Sequence, residues 1–469
     1  MNSGLIIWLE FAALLPLAGA AMVSRVVETD RARRMALAAS AASLMCALAA
    51  SILFFYRQPA GHEPIHLGSA LFGRAVLALD ELSAPLVPLA ALIHFLTILA
   101  TVRSYSRKFS FAWALVSQSL VLLTLSCQEP WGVIGLLIAG TVPPYMELRS
   151  RGVPARAYVI HMALFAALMI LGEALVESEG RERTHTLWPV VPLVIAVLIR
   201  VGIAPFHVWI TELFERSLLG TALLFVTPLI GAYAAVRLVL PIAADEVLRG
   251  LGMLSLATAV YAAGMGLIQR DSRRYFCYFF LSQSALVLVG LETCQETGLS
   301  GGLLAWLASS LAMTGFGLTL RLLEARHGRL PLTGFKGLYE NTPLLGISFL
   351  VTGMTAVGFP GTVGFLGMDL LVDGAVHTYP HAGVTVVLAA TMNSISIVRA
   401  YFRLFTGCRP LATVPLKANI RERVVVYTLI ALVLGGGLYP QPGAWSRHHA
   451  AKEILNERLL LAPTPADDF

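Results

Sequence analysis

The stretch AVLIRVGIAPFHVW, residues 196–209, sets Arg200 in the middle of an apolar run and closes on Pro-Phe-His-Val-Trp. What an arginine does at that depth depends on what surrounds the run. The chain has 469 residues, 57% of them hydrophobic and 13% charged. Its mean hydropathy is +0.74. Soluble domains carry about 25% charged residues, so there is too little polar surface to wrap a water-soluble core. Apolar runs of roughly 17–25 residues recur from end to end, the length that crosses a bilayer as a helix. The alternating pattern of a membrane β-barrel is absent. The composition therefore predicts an all-α polytopic membrane protein.

About fourteen spans of membrane-crossing length follow from the runs: 4–23, 35–56, 80–102, 110–127, 131–148, 156–176, 187–204, 217–240, 250–268, 276–292, 300–322, 342–371, 382–402 and 421–440. The run at Gly4–Val23 lacks a basic leader and a small-residue cleavage site, so it reads as a first span. Gly-Phe-Pro-Gly at 358–361 interrupts the twelfth span, and such breaks are tolerated where protein or water satisfies the freed backbone. The tail, 441–469, reads as one amphipathic helix followed by a disordered Pro/Asp finish.

With the N-terminus outside, loop residues such as Arg31, Arg33, Arg103, Arg107 and Arg149 all fall inside. Roughly 23 basic residues then lie inside against about 5 outside, a strong positive-inside bias that puts both termini outside. The net charge of +6 belongs to these loops and is no nucleic-acid signal. Cys46, Cys127, Cys277, Cys294 and Cys408 are scattered singly, without the spacing of an iron–sulfur or zinc site. No soluble catalytic domain or nucleotide loop is visible.

Four ordered motifs carry a resemblance. Pro205, His207 and Trp209 are followed by Tyr233 and Arg237; LDELSAPL spans 79–86; QRDSRRYFCYFFLSQSALVLVGL spans 269–291; and LTGFKGLYENTPLLGISFLVTGMTAVGFPGTVGFLG spans 332–367. Together they resemble the proton-conducting membrane transporter family, which includes the antiporter-like subunits of respiratory complex I (NADH–quinone oxidoreductase subunits L, M and N) and cation/proton antiporter subunits. The resemblance implies N-terminal spans over 1–109, two inverted five-helix repeats over 110–240 and 250–402 with spans seven and twelve broken, a last span at 421–440 and the tail. It also implies a central row of ionisable side chains: a Glu on the fifth span, Lys on the seventh and eighth, and Lys or Glu on the twelfth.

Carried over residue by residue, that row is incomplete. Arg200 takes the seventh-span position, five residues before Pro205. Arginine keeps its proton where a buried lysine can release one, so Arg200 can shape a water path or hold a carboxylate but carries protons poorly. The fifth-span position falls on Ile138 or Ala139, the eighth on Leu229 and the twelfth on Met368, with Asp369 one residue further. One residue turns a helical side chain by about 100°, so Asp369 need not face the same path.

Charged groups inside spans are expensive and count as functional candidates. The candidates for a modified path are Arg200, His207, Glu212, Asp369, His161 and Glu147. For Glu147 the plainer expectation is a solvated helix end paired with Arg149 or Arg151; for His161 and His94 it is packing or a helix–helix hydrogen bond. Glu212, Glu215 and Arg216 read as a charged loop. Arg237, Asp271, Arg273 and Arg274 read as structural charges, the Arg273–Arg274 pair snorkelling to the interface.

The expected function is a non-redox membrane subunit of an ion-translocating, NADH–quinone oxidoreductase type complex with a modified proton path. It would bind no cofactor itself, and its partners would be lipid and other subunits, not nucleic acid. The alternative is a non-pumping scaffold that docks a soluble partner, as in an inorganic-carbon uptake complex. A free-standing antiporter ranks below both.

Overall fold

The computed structural model describes residues 3–56, 77–102, 108–179, 187–407 and 418–460. Arg103, Arg107, Cys408 and the expected disordered finish at 461–469 lie outside the described residues. Every expected span contains helix, and among the described residues there are only two isolated β-bridges and no strand. The helices are α1 (Ser3–Val23), α2 (Thr29–Tyr56), α3 (Leu86–Leu99), α4 (Phe111–Ser126), α5 (Pro130–Ala139), α6 (Val142–Ser150), α7 (Arg156–Glu179) and α8 (Leu187–Val201). Then come α9 (Val208–Arg216), α10 (Leu219–Val226), α11 (Ile230–Ala234), a π-helical turn at Ala235–Val239, α12 (Asp245–Ile268), α13 (Ser272–Glu292) and α14 (Glu296–His327). The chain ends with α15 (Pro343–Ala356), α16 (Gly364–Thr378), α17 (Pro380–Phe405), α18 (Ile420–Leu438) and α19 (Gln441–Leu460). Eight helices, counting α5–α6 and α10 to Val239 as continuous, are long and apolar enough to cross a bilayer; shorter apolar helices accompany them.

The breaks organise the interior. Spans seven and twelve are interrupted as expected, at 202–207 and 357–363, and two further breaks appear, at Gly140–Thr141 and at Thr227–Leu229. Proline explains both additions, because it lacks an N–H and clashes with the preceding turn. Pro143 and Pro144 sit at the start of α6, and Pro228 lies between α10 and α11. The expected charged loop after Trp209 is instead helix α9. Its apolar face, Trp209, Ile210, Leu213 and Phe214, is buried, and that face drives the segment to fold.

A carbonyl freed in the membrane interior needs a donor. The Tyr158 hydroxyl donates to Thr141 O at 2.7 Å. The Trp209 indole donates to Ile199 O at 2.8 Å, and the Trp306 indole donates to Pro228 O at 3.1 Å. At the twelfth-span break, Val363 N donates across to Val433 O on α18 at 2.9 Å. Gly437 makes that approach possible: a Cβ there would stand 2.4 Å from Gly361 O.

The tail helix α19 turns by 75° from α18 and packs on α14, crossing one end of the bundle. Two buried arginines fasten it. Arg447 donates to Leu82 O at 3.0 Å and to Glu81 O, while Arg458 reaches Leu240 O and pairs with Asp245 at 2.5 Å. Glu453 lies half-buried on the same helix. Burial, then the charges of Asp80, Glu457 and Glu81, raise its carboxyl to about 7.

Removing the indole donor with Trp306→Phe, which keeps an aromatic but smaller ring, leaves Pro228 O unpaired and should destabilise the protein by at least about 1–3 kcal/mol, read as a lower Tm in detergent. A glutamate in the unfolded chain titrates near 4.3, so the preference of folded Glu453 for its proton stabilises the tail fully below about pH 4 and is lost as pH rises to about 7. Protease resistance of α19 should fall over that interval in the wild type and stay level in Glu453→Gln.

Candidate ion-conducting axis

Arg200 lies one residue from the end of α8 and is 7% exposed. Its Nη2 donates to Phe225 O, in the last turn of α10, at 3.3 Å. The guanidinium also stacks 3.9 Å from the centroid of the Phe225 ring. That ring packs edge-on against Tyr158 and Trp209 at 5.9 and 5.8 Å. A cation at a helix C-terminus satisfies an orphan carbonyl and complements the helix dipole. Among the described residues Arg200 meets a carbonyl and a ring, and no carboxylate. Of the two expectations for Arg200, holding a carboxylate is therefore not met among the described residues. Leu229, at the family's eighth-span lysine position, occupies the break itself with φ +52 and is buried. Ile138, Ala139 and Met368 are half-buried apolar residues.

At one end of the bundle Glu147 is 2% exposed, which corrects the expectation of a solvated helix end. It does pair with Arg151, at 2.7 Å, and accepts from Leu218 N at 3.4 Å. Its Oε2 is buried without a hydrogen-bond partner among the described residues. Arg273 is also corrected: it does not snorkel. It is buried, forks onto Glu324 at 2.7–3.0 Å, and donates to Phe214 O and Ser217 O at 3.2 and 2.9 Å. Arg274 is exposed, as expected, and meets Glu215 at 3.0 Å. Asp271 caps α13 by accepting from the backbone of both arginines. Glu212 pairs with Arg216 one helical turn away.

His161 bonds to Ala157 O of its own helix at 2.8 Å; His94 likewise bonds to Ala90 O of its own helix at 2.8 Å and lies 3.5 Å from Ser117 Oγ on α4. His207 Nε2 lies 3.4 Å from the Tyr261 hydroxyl, and its Nδ1 is buried without a partner among the described residues. Asp369 is exposed on α16, so its rotation past Met368 takes it out of the interior, and a central role for it is not supported.

At the opposite end Arg237 pairs with Asp80 and donates to the Tyr233 hydroxyl at 3.2 Å, which donates on to Cys127 O at 2.8 Å. Asp80 in turn accepts from Ser83 N at 2.8 Å. The Tyr233/Arg237 and Asp80/Ser83 motifs thus form one site. Asp80 and Glu324 were not among the sequence candidates. Asp80 is marked in sequence by the LDELSAPL motif and Glu324 only as an acidic residue at a span end; neither signal names the arginine it pairs with. Chemically the axis offers buried charge at both ends and, between them, a guanidinium that holds its proton.

All-helical, polytopic and broken in several spans around buried charge, the chain is an integral membrane protein of a transporter-like class. It belongs to the NADH:quinone oxidoreductase/Mrp antiporter transmembrane family, whose profile matches residues 159–394. It is 28% identical over 403 residues to NAD(P)H-quinone oxidoreductase chain 4 1 of Synechococcus elongatus, covering 78% of this chain and 75% of that one. In fold it resembles a chain of respiratory complex I from Thermus thermophilus, with a TM-score of 0.83, 20% identity, and coverage of 96% of this chain and 99% of that one. It also resembles a chain of the Mrp complex from Dietzia sp. DQ12-45-1b, with a TM-score of 0.84, 17% identity, and coverage of 98% and 99%.

Breaking the buried Arg273–Glu324 pair with Glu324→Gln should destabilise the protein by about 3–5 kcal/mol, seen as a loss of monodisperse protein on heating in detergent. Arg274→Gln, on the exposed pair, should change the melting temperature little, since such pairs are worth about 0–1 kcal/mol.

Proposed function

We propose that this chain is a non-redox membrane subunit of a multi-subunit, proton-translocating complex of the NADH–quinone oxidoreductase type, with a modified central path. Three things support it: the family, the matching fold of chains from complex I and Mrp assemblies, and a bundle of broken spans that carries buried charge. The observation that carries the word "modified" is the setting of Arg200. It serves as a helix cap beside apolar Leu229, so a proton crossing this point has to move on water past a fixed charge rather than on a side chain. On this reading NADH and quinone are engaged only through partner subunits, and the singly placed cysteines leave the chain without a redox group. The two five-helix halves, 110–240 and 250–402, follow from the resemblance. The basic loops favour a bacterial cytoplasmic membrane with both termini outside.

A non-pumping scaffold for a soluble partner is the second reading, and one observation favours it: Asp369 faces outward, and no protonatable side chain was found at the family's fifth-, eighth- and twelfth-span positions. Proton flux decides between them. The complex purified through a tag on this chain and reconstituted in liposomes should acidify or alkalinise the lumen when energised. Arg200→Ala, by removing the cap and the fixed charge, should change that flux by about tenfold or more, equivalent to 1.4 kcal/mol on the barrier. An energised wild type with no flux supports the scaffold.

A further inference from the structure

Helix α13 ends on Glu292, a placement that runs against chemistry twice. A carboxylate is unfavourable at a helix C-terminus, where the backbone already presents partial negative charge. It is also 8% exposed, and both of its oxygens are buried with no hydrogen-bond partner among the described residues. Glu147, Glu324 and Glu422, buried to a similar degree, each hold an arginine. Glu292 does not. Arg249, on the same wall, is stacked instead on the Tyr379 ring, 5.3 Å from its centroid.

Glu292 lines open space at its helix end. A cavity of about 60 Å³ lies between α12, α13 and the end of α16, walled by Leu248, Met253, Leu256 and Val289. Gly252 lies against the carboxyl: a Cβ there would stand in ordinary contact with Oε2, 3.4 Å away. Glu292, Arg249 and Tyr379 also line a second cavity of about 500 Å³ at the α19 end of the bundle, whose other walls include Asp245, Cys294 and Arg458. Water needs about 10–15 Å³ by this measure, so both spaces admit it. An unpaired carboxylate in such a place is costly and has to be neutralised. A metal cation would want several oxygen ligands, and Glu292 is the one carboxylate that lines the smaller cavity among the described residues. A proton needs none.

We propose that Glu292 is a proton-exchange site at the α19 end of the bundle. The O–H bond of its carboxylic acid breaks and the proton passes to a cavity water. Arg249, released from Tyr379, is the cation available to the carboxylate left behind; reprotonation from the same water reverses the step. Asp245, Cys294 and Arg458 are the other ionisable groups facing the shared space. The purpose assigned to the site rests on the conduction reading above, whereas its existence is tested without flux.

Infrared difference spectroscopy of the purified full chain should show a carboxylic acid C=O stretch that shifts in D2O and titrates with pH. That band should be lost in Glu292→Gln and kept in Glu453→Gln. Arg249→Gln should move its titration to higher pH, a second readout if Glu292→Gln fails to fold. A missing band, a band untouched by these substitutions, or one abolished by replacing choline chloride with sodium or potassium chloride overturns the assignment. In reconstituted liposomes Glu292→Gln should lower proton flux by about a hundredfold, the scale of one general acid–base group; unchanged flux also overturns it. A wild type that conducts nothing sinks the conduction reading instead, and the infrared band then decides the site alone.

Discussion

The interior of this bundle is governed by backbone carbonyls that have lost their helical partners inside the membrane. Each broken span frees several, and water is scarce there. The structure answers with a small set of rigid donors: the indoles of Trp209 and Trp306, the phenol of Tyr158 and the guanidinium of Arg200. The same device recurs away from the breaks. Arg321 donates to Thr97 O and to Thr101 Oγ1 near the end of short α3, with Arg33 reaching Leu99 O. Arg273 and Arg447 serve carbonyls at the two ends of the bundle. Arginine suits the task because it presents five donors in a fixed fork and is less strongly hydrated than lysine. Arginine at depth is therefore a structural habit of this chain, and Arg200 is one case of it.

That habit bears on function. A lysine in the place of Arg200 could give up its proton. Arginine holds the break together and keeps a permanent positive field there. Arg200 caps a carbonyl at the point where the sixth, seventh and eighth spans come together through the ring cluster of Tyr158, Trp209 and Phe225.

Much of this was legible in the sequence where local chemistry is decisive. The spans follow from apolar length, and the breaks at Pro205 and at Gly358–Gly361 from residues that cannot continue a helix. The break at Pro228 was not read, because a proline in an unbroken apolar run also suits a kinked helix; what fixes it is the Trp306 indole, 78 positions away. Pairing of Glu147 with Arg151 follows from one helical turn, but its burial comes from the cover supplied by the 214–218 segment. The facing of Asp369 depended on the helical phase after a break, which no spacing rule sets. Partners such as Asp80 with Arg237 and Arg273 with Glu324 join residues far apart in sequence, so charge alone could mark the ends but not match them.

The tail helix has a mechanical consequence. Its two buried arginines and its Glu296 contacts through His448 and Lys452, at 2.9 and 3.2 Å, grip the start of the third span, the end of the eighth and the beginnings of the ninth and eleventh. The buried arginines give this crossbar its hold, since exposed pairs such as those of His448 and Lys452 are worth little, so three span ends are tied together through two side chains.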